Sequence, residues 1–312
     1  HEINGTIDQV RYFCPSNLNE FVIPLDMDKI NNLADLYLQS IWNHKNTSVK
    51  IEEIKFLNRK DPGPSKTYDI NAKPLPKDNG AAVEFDDSLS AWDFLPKMGV
   101  GFQYAICGNF TYDIDFGLDF SYANGYPIET KETIHAIKEK GFYTLRLQVA
   151  GSYHVMDKDF TLDPAFMKQL KKVVDWAIEE DMYVIICEGC CSYYYPQSVD
   201  SEKNKWIEEH FFGAGYNLSK EDQNHSEKYL KAFWKQIAET FNNSYDEHLV
   251  FEFMNEPLDL TDHRWNPEKN CATCIEDTKI LNSLNQIALD TIRATGGNNE
   301  KRYLMVPTLG QD

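Results

Sequence analysis

The sequence predicts an α/β fold on a parallel sheet, and three observations lead there. From about residue 91, apolar runs of strand length alternate with longer stretches that carry apolar residues at helical spacing. Several of those stretches open or close on capping residues. One strand, in the stretch "FEFMNEPLDL" (251–260), runs from Phe and Met straight into Asn-Glu-Pro. A carboxylate is costly to bury at the end of an apolar strand, and that end is where parallel β/α folds carry their chemistry. Repeated β–α units leave two architectures open, a doubly wound sheet or a closed eight-stranded barrel.

Residues 1–58 read as β-rich. "LADLYLQSIW" and "SVKIEEIKFL" carry partial period-two patterns, with a slip between Ile51 and Ile54 of the kind a bulge makes. A free-standing sandwich usually needs about seven strands, more than this segment holds. Residues 59–90 are rich in Pro, Gly and charge and read as a linker. Residues 91–312 hold the β–α units. "MGVGFQYAI" is the first strand, and "ETKETIHAIKEKG" is a helix ended by Gly141. "FYTLRLQV" is the second strand. "DPAFMKQLKKVVDWAIEED" is a helix with Asp163 as N-cap and Pro164 at its first position. Phe166, Leu170, Val173, Val174, Ala177 and Ile178 form its buried stripe. "MYVIICE" is the third strand, "SEKYLKAFWKQIAETF" a helix, and "HLVFEFMNEP" the fourth strand. "IEDTKILNSLNQIALDTIRATGG" is a helix closed by Gly296 and Gly297, and "RYLMVPT" is the fifth strand.

A chain of 312 residues with 42% hydrophobic content can bury a sizeable core. Its net charge of −18 repels nucleic acid and anionic membrane surfaces, so neither is expected as a partner. An acidic surface suits a neutral ligand such as a sugar polymer. No apolar run reaches membrane-spanning length. No signal peptide is visible, and the first residue is His1, as in a processed or partial chain. Sequons at Asn4, Asn46, Asn109, Asn217, Asn224 and Asn242 lean towards a secreted glycoprotein. The seven cysteines are odd in number, so at least one is free or pairs outside the chain. "CEGCC" and "CATC" each hold a Cys-x-x-Cys spacing. Disulfides and zinc both remain open, with disulfides favoured in a secreted protein. No cofactor is expected.

Alternation sorts the residues at the strand ends. Glu252 and Glu256 face one side, with Leu249, Phe251 and Phe253 on the other. The phenylalanines suit a helix layer, so the glutamates face the interior. Thr144, Arg146 and Gln148 likewise oppose Leu145, Leu147 and Val149. An interior Arg146 can pair with Glu252 or position a deeper carboxylate.

"NEP" after an apolar strand, preceded by "WKQIAETFNNSYDEHLVFE", resembles glycoside hydrolase family 5 in its cellulase and endo-β-1,4-glucanase branch. "IETKETIHAIKEKGFYTLRLQV" and "DFTLDPAFMKQLKKVVDWAIEEDMYVII" resemble that family's second- and third-strand regions. The resemblance implies a (β/α)8 TIM-barrel type, of which about the first five strands are present, preceded by the small β-rich segment. The ending "IEEIKFL" is similar to the last strand of β-sandwich carbohydrate-binding modules. The family implies Glu256 as acid/base, Asn255 as hydrogen-bonding the sugar 2-hydroxyl, and Arg146 as orienting the nucleophile. His154 matches a histidine the branch often carries, and Tyr104 and Tyr153 are candidates for stacking on sugar rings.

The sequence departs from the family in three places. The family's nucleophile ends strand seven, so it is not in this chain, and a longer chain or a second chain is expected to complete the barrel. "IICEGCC" stands where a His-rich stretch is usual, and Phe102 and Gln103 stand where Trp and Asn are usual. The expectation is hydrolysis of a β-glucan by a secreted protein. The alternative is a catalytically inactive glycan-binding or structural scaffold derived from the same fold.

Overall fold

The computed structural model describes residues 2–3, 6–7, 73–106, 130–189, 193–194, 197–260 and 271–310. The chain divides into two compact units. In the first, β1 (Glu2–Ile3) and β2 (Thr6–Ile7) pair antiparallel, with Glu2 opposite Ile7 and Ile3 opposite Thr6. The rest of the β-rich segment expected over 1–58, with its period-two stretches at 33–42 and 48–57 and the carbohydrate-binding likeness, and the first part of the linker lie outside the described residues.

The second unit is built on five parallel strands, β3 (Gly101–Ile106), β4 (Thr144–Val149), β5 (Tyr183–Glu188), β6 (Leu249–Glu252) and β7 (Leu304–Met305). They lie side by side in chain order, each new strand adding to the same edge. A doubly wound sheet reverses direction, whereas this order is that of a barrel under construction. Register places Gln103 opposite Arg146, Arg146 opposite Ile185, and Cys187 opposite Glu252.

The helices between the strands follow the expected pattern, with ends shifted by a few residues. They include α2 (Lys131–Glu139), α3 (Pro164–Glu179), α5 (Gln223–Thr240) and α6 (Ala272–Arg293). Asp163 caps α3 by accepting the Ala165 N–H at 2.8 Å. The α3 stripe of Phe166, Leu170, Val173, Val174 and Ala177 is buried. Each of the larger ones, all but Ala177, contributes about 1.5–3 kcal/mol. Ile178 is half-buried and Met167 joins the buried face in its place. Gly141, beyond α2, has φ of 87°, which only glycine adopts freely.

Two helices were not foreseen. The sequence reading merged residues 98–100 into the first strand, but α1 (Ala91–Met98) ends there, capped by Ser90. Its Phe94 stacks on Tyr303 at 3.9 Å and meets Tyr183 edge-on at 5.4 Å. Phe94 and Met98 plug the amino ends of the strands, against Ile185 and Val250. The other is α4 (Ser201–Phe211), a polar helix between β5 and α5. No described helix is long and apolar enough to cross a membrane.

Within the stretch read as a linker, residues 73–90 are tied to the end of α5. Asp78 accepts the N–H groups of Asn242 at 3.0 Å and Ser244 at 2.7 Å. Its own N–H donates to Glu239 O at 2.8 Å, and Phe85 is buried. Nearby, Arg302 is fully buried just before β7, with five hydrogen bonds to oxygens around it.

Candidate active site

Strand alternation builds the site. On β4, Leu145, Leu147 and Val149 point outward and are fully buried, which turns Arg146 and Gln148 to the opposite face. On β6, Phe251 packs outward on Trp234 of α5 at 5.5 Å, and Phe253 follows at 6.0 Å. Glu252 is thereby turned inward. There it takes both prongs of Arg146, Nε to Oε2 at 2.7 Å and Nη2 to Oε1 at 2.6 Å. Paired forks of this kind are the strong form of the interaction. Burial works against the Arg146 charge. The Glu252 hydrogen bonds and the neighbouring Cys187, Glu252 and Glu256 outweigh it and hold the pKa above the ordinary arginine value.

Arg146 reaches further. Its Nη2 donates to Asn255 Oδ1 at 2.9 Å and contacts Cys187 Sγ at 3.3 Å, while Nη1 donates to Gln103 Oε1 at 2.7 Å. Gln148 Nε2 donates to the same Asn255 oxygen at 2.5 Å. The Cys187 thiol is pushed well up, first by burial and then by the Glu252 charge, so it stays protonated.

The turn that presents Asn255 and Glu256 is held through its backbone. Asn255 N–H donates to Glu188 O at 2.8 Å. Tyr216 OH donates to Asn255 O at 3.1 Å, and Tyr193 OH donates to Glu256 O at 2.8 Å. Glu256 itself has φ of 46°, a left-handed conformation that costs a non-glycine residue about 1–2 kcal/mol. The two tyrosine clamps offset that strain. The Glu256 side chain is half-buried, and its carboxylate makes no hydrogen bond to a described residue.

These groups line one open cleft of about 380 Å³ at the carboxyl ends of the strands, walled by Gln103, Arg146, Gln148, Glu252, Asn255 and Glu256 with Met254, Pro257, Pro307, Thr308 and Gly310. A larger groove of about 480 Å³ lies on the outer face, between residues 74–77 and helices α3 and α5. It shares no residue with the cleft and gathers no comparable network.

Of the residues singled out in the sequence, Arg146, Asn255 and Glu256 come together. Tyr153 and His154 are buried outside the cleft lining. Tyr153 meets Phe211 edge-on at 4.9 Å, and His154 stacks on Phe166 at 4.1 Å. The side chain of Tyr104 lies outside the described residues. Sequence reasoning turned Gln148 inward with Arg146 and noted Gln103 as a departure from the family, but gave neither a role, and it missed Tyr193 and Tyr216. Alternation would have flagged Gln103, which stands opposite Arg146. The tyrosines act through distant backbone oxygens and leave no local signal. Cys271 and Cys274 are disulfide-bonded to each other at the start of α6, and Cys187 is free. Cys14, Cys107, Cys190 and Cys191 lie outside the described residues. The Asn217 and Asn242 side chains are buried, and Asn224 is exposed.

A sequentially wound parallel sheet with its polar cleft at the carboxyl ends of the strands defines a protein of the β/α-barrel class. Comparison with known proteins gives the family. Residues 110–312 match Cellulase (glycosyl hydrolase family 5), and the chain belongs to that family. It is 32% identical over 236 residues to Endoglucanase A of Clostridium longisporum, covering 74% of this chain and 40% of that protein. It is 33% identical to Endoglucanase B of Ruminococcus albus, covering 70% and 46%. The chain thus spans less than half the length of these two curated relatives.

Solved structures agree. A broad-specificity endoglucanase from Ruminococcus champanellensis with bound cellotriose superposes with a TM-score of 0.58 at 29% identity, over 73% of this chain and 60% of that one. A family 5 lichenase from Caldicellulosiruptor, in complex with cellotetraose, gives 0.57 at 30% identity, over 76% and 59%.

Proposed function

We propose that this chain is part of a retaining endo-β-1,4-glucanase that cleaves soluble β-glucan with Glu256 as acid/base. The observation that carries the reading is the Glu256 carboxylate. It lines the cleft without a protein hydrogen-bond partner among the described residues, next to an Asn255 whose oxygen is already taken by Arg146 and Gln148. A carboxyl group so placed can protonate a leaving oxygen and later deprotonate a water. Asn255 hydrogen-bonds the sugar, and Arg146, with its charge balanced by Glu252, holds Asn255. Tyr104 remains the candidate for ring stacking, while Tyr153 and His154 support the wall from behind.

Retention needs a second carboxylate about 5–5.5 Å from the first. The proposal assigns it to a later strand, supplied by a longer chain or a second one. The outer strands support this, since Phe102 within β3 and Val306 just after β7 are exposed apolar residues. Secretion is part of the proposal, with Asn224 as the sequon among the described ones that is open to a glycan. The names of the relatives, and the cello-oligosaccharides bound in their structures, support a β-glucan substrate.

The test is incubation of the natural full-length protein with soluble mixed-linkage β-glucan. Reducing ends are counted and the anomer first released is read by NMR. Turnover with the β-anomer first is expected. Binding of cello-oligosaccharides without turnover would replace this reading with the non-catalytic scaffold.

A further inference from the structure

Arginine only donates hydrogen bonds, and that property fixes three carboxamides around Arg146. Its Nη2 meets Asn255 Oδ1 at 2.9 Å, and its Nη1 meets Gln103 Oε1 at 2.7 Å. Asn255 Oδ1 takes a second bond, from Gln148 Nε2 at 2.5 Å. Gln148 therefore turns its Oε1 away, and Gln103 Nε2 donates to it at 3.2 Å. The four side chains close a ring. Flipping any one amide sets donor against donor or acceptor against acceptor.

The ring leaves one polar group over. Asn255 Nδ2 has no acceptor among the described residues. It is not buried away from water either, because the single buried side-chain polar atom without a partner among them is Asn285 Oδ1. Asn255 lines the cleft, so the free N–H₂ faces it. Gln148 also lines the cleft, but it is buried and both ends of its carboxamide are engaged in this ring.

We propose that Gln148 and Gln103 are positioning residues. They lock the Asn255 carboxamide with its oxygen on the arginine and its nitrogen aimed into the cleft, ready to donate to a hydroxyl oxygen of a bound sugar. The identity of the ligand rests on the glycosidase reading above, whereas the amide orientation rests on the ring alone. An Asn255 free to flip would present oxygen to the cleft half the time, and would waste the contact that strengthens towards the transition state.

The experiment is a double-mutant cycle on the full-length protein with soluble β-glucan. Gln148→Leu is expected to lower kcat/KM roughly ten- to a hundredfold, chiefly in kcat. In an Asn255→Ala background the same change should cost less than about twofold. Gln103→Leu, at an exposed position that tolerates change, should show a smaller loss with the same dependence on Asn255. Equal losses in both backgrounds, or a loss in KM alone, would overturn the proposal. An NMR readout decides the orientation independently of turnover. Slow solvent exchange of the Gln148 Nε2 protons with fast exchange of the Asn255 Nδ2 protons supports the ring, and the reverse order overturns it.

Discussion

Replacing Arg302 with methionine tests how the second unit is held together. The guanidinium is fully buried and donates from Nε to Asn299 Oδ1 at 2.6 Å. Nη1 donates to the carbonyls of Asp246 and Leu249, both at 2.9 Å. Nη2 donates to those of Asn242 at 3.0 Å and Tyr245 at 2.9 Å. All five donors are used, and the Phe251 ring lies 5.2 Å below. Methionine fills similar volume but leaves these oxygens without that donor. Tyr245 O keeps a second donor in Asn298 Nδ2 at 3.1 Å, Asn242 O in the Tyr245 N–H at 3.2 Å and Asp246 O in the Leu249 N–H at 3.3 Å, whereas Leu249 O and Asn299 Oδ1 depend on the arginine. Net hydrogen bonds to a charged group contribute about 1.5–3 kcal/mol each, though not additively, and a buried polar group left unpaired costs about 1–3 kcal/mol. We expect a loss of about 4 kcal/mol, on the order of two such groups. At about 2–4 °C per kcal/mol for a domain this large, Tm should fall by roughly 8–16 °C. Urea unfolding followed by tryptophan fluorescence measures it. Arg302→Lys, with three donors on a flexible stem, should recover only part of the loss. A cost below about 1 kcal/mol for methionine would refute the reasoning, since relaxation or water would then be satisfying those carbonyls.

Three further predictions concern separate parts of the fold. Phe94→Ala empties the plug at the amino ends of the strands and should cost about 3–5 kcal/mol by the same unfolding assay. Tyr216→Phe removes the hydroxyl that holds Asn255 O, and should cost about 1 kcal/mol in stability while lowering kcat/KM by more than that loss of folded protein explains. His248 Nδ1–H donates to Asp246 Oδ1 at 3.0 Å, and that hydrogen bond, against burial and with the charges of Asp246, Glu247 and Asp181, raises its pKa above 6.5. A raised base stabilises the fold below its unfolded pKa, and the contribution is lost as pH rises through the folded value. His248→Gln should therefore cost more at pH 5.5 than at pH 9, by up to about 1 kcal/mol. An equal cost at both would contradict the pairing.

Much of this architecture was legible in the sequence because it follows periodicity. The α3 stripe and its Asp163 cap repeat within a few residues, so a short window reveals them. The inward facing of Arg146 and Glu252 follows from alternation on two strands, and their pairing needs only that the strands be close. Other features depend on distant partners. Helix α1 has just two buried residues, Phe94 and Met98, and its partner Tyr303 stands more than two hundred positions away. The Pro-rich stretch at 73–90 reads as a linker by composition, yet Asp78 finds the backbone of residues 242–244. Amides carry no hydropathy signal, so alternation turned Gln148 inward and the family pattern marked Gln103, but neither had a role until Arg146 was seen to orient them. Tyr193 and Tyr216 bind backbone oxygens, which no sequence pattern marks.

The most direct test of the account is the dependence of Glu256→Gln on leaving group in the full-length protein. Protonation by Glu256 matters when the departing oxygen belongs to a sugar and hardly at all when it belongs to an acidic phenol. The account predicts that kcat/KM on soluble β-glucan falls roughly a hundred- to ten-thousandfold, while kcat/KM on a dinitrophenyl β-cello-oligosaccharide changes little. An equal fall on both substrates, or activity on β-glucan that survives the substitution, would contradict the assignment of Glu256 as the acid.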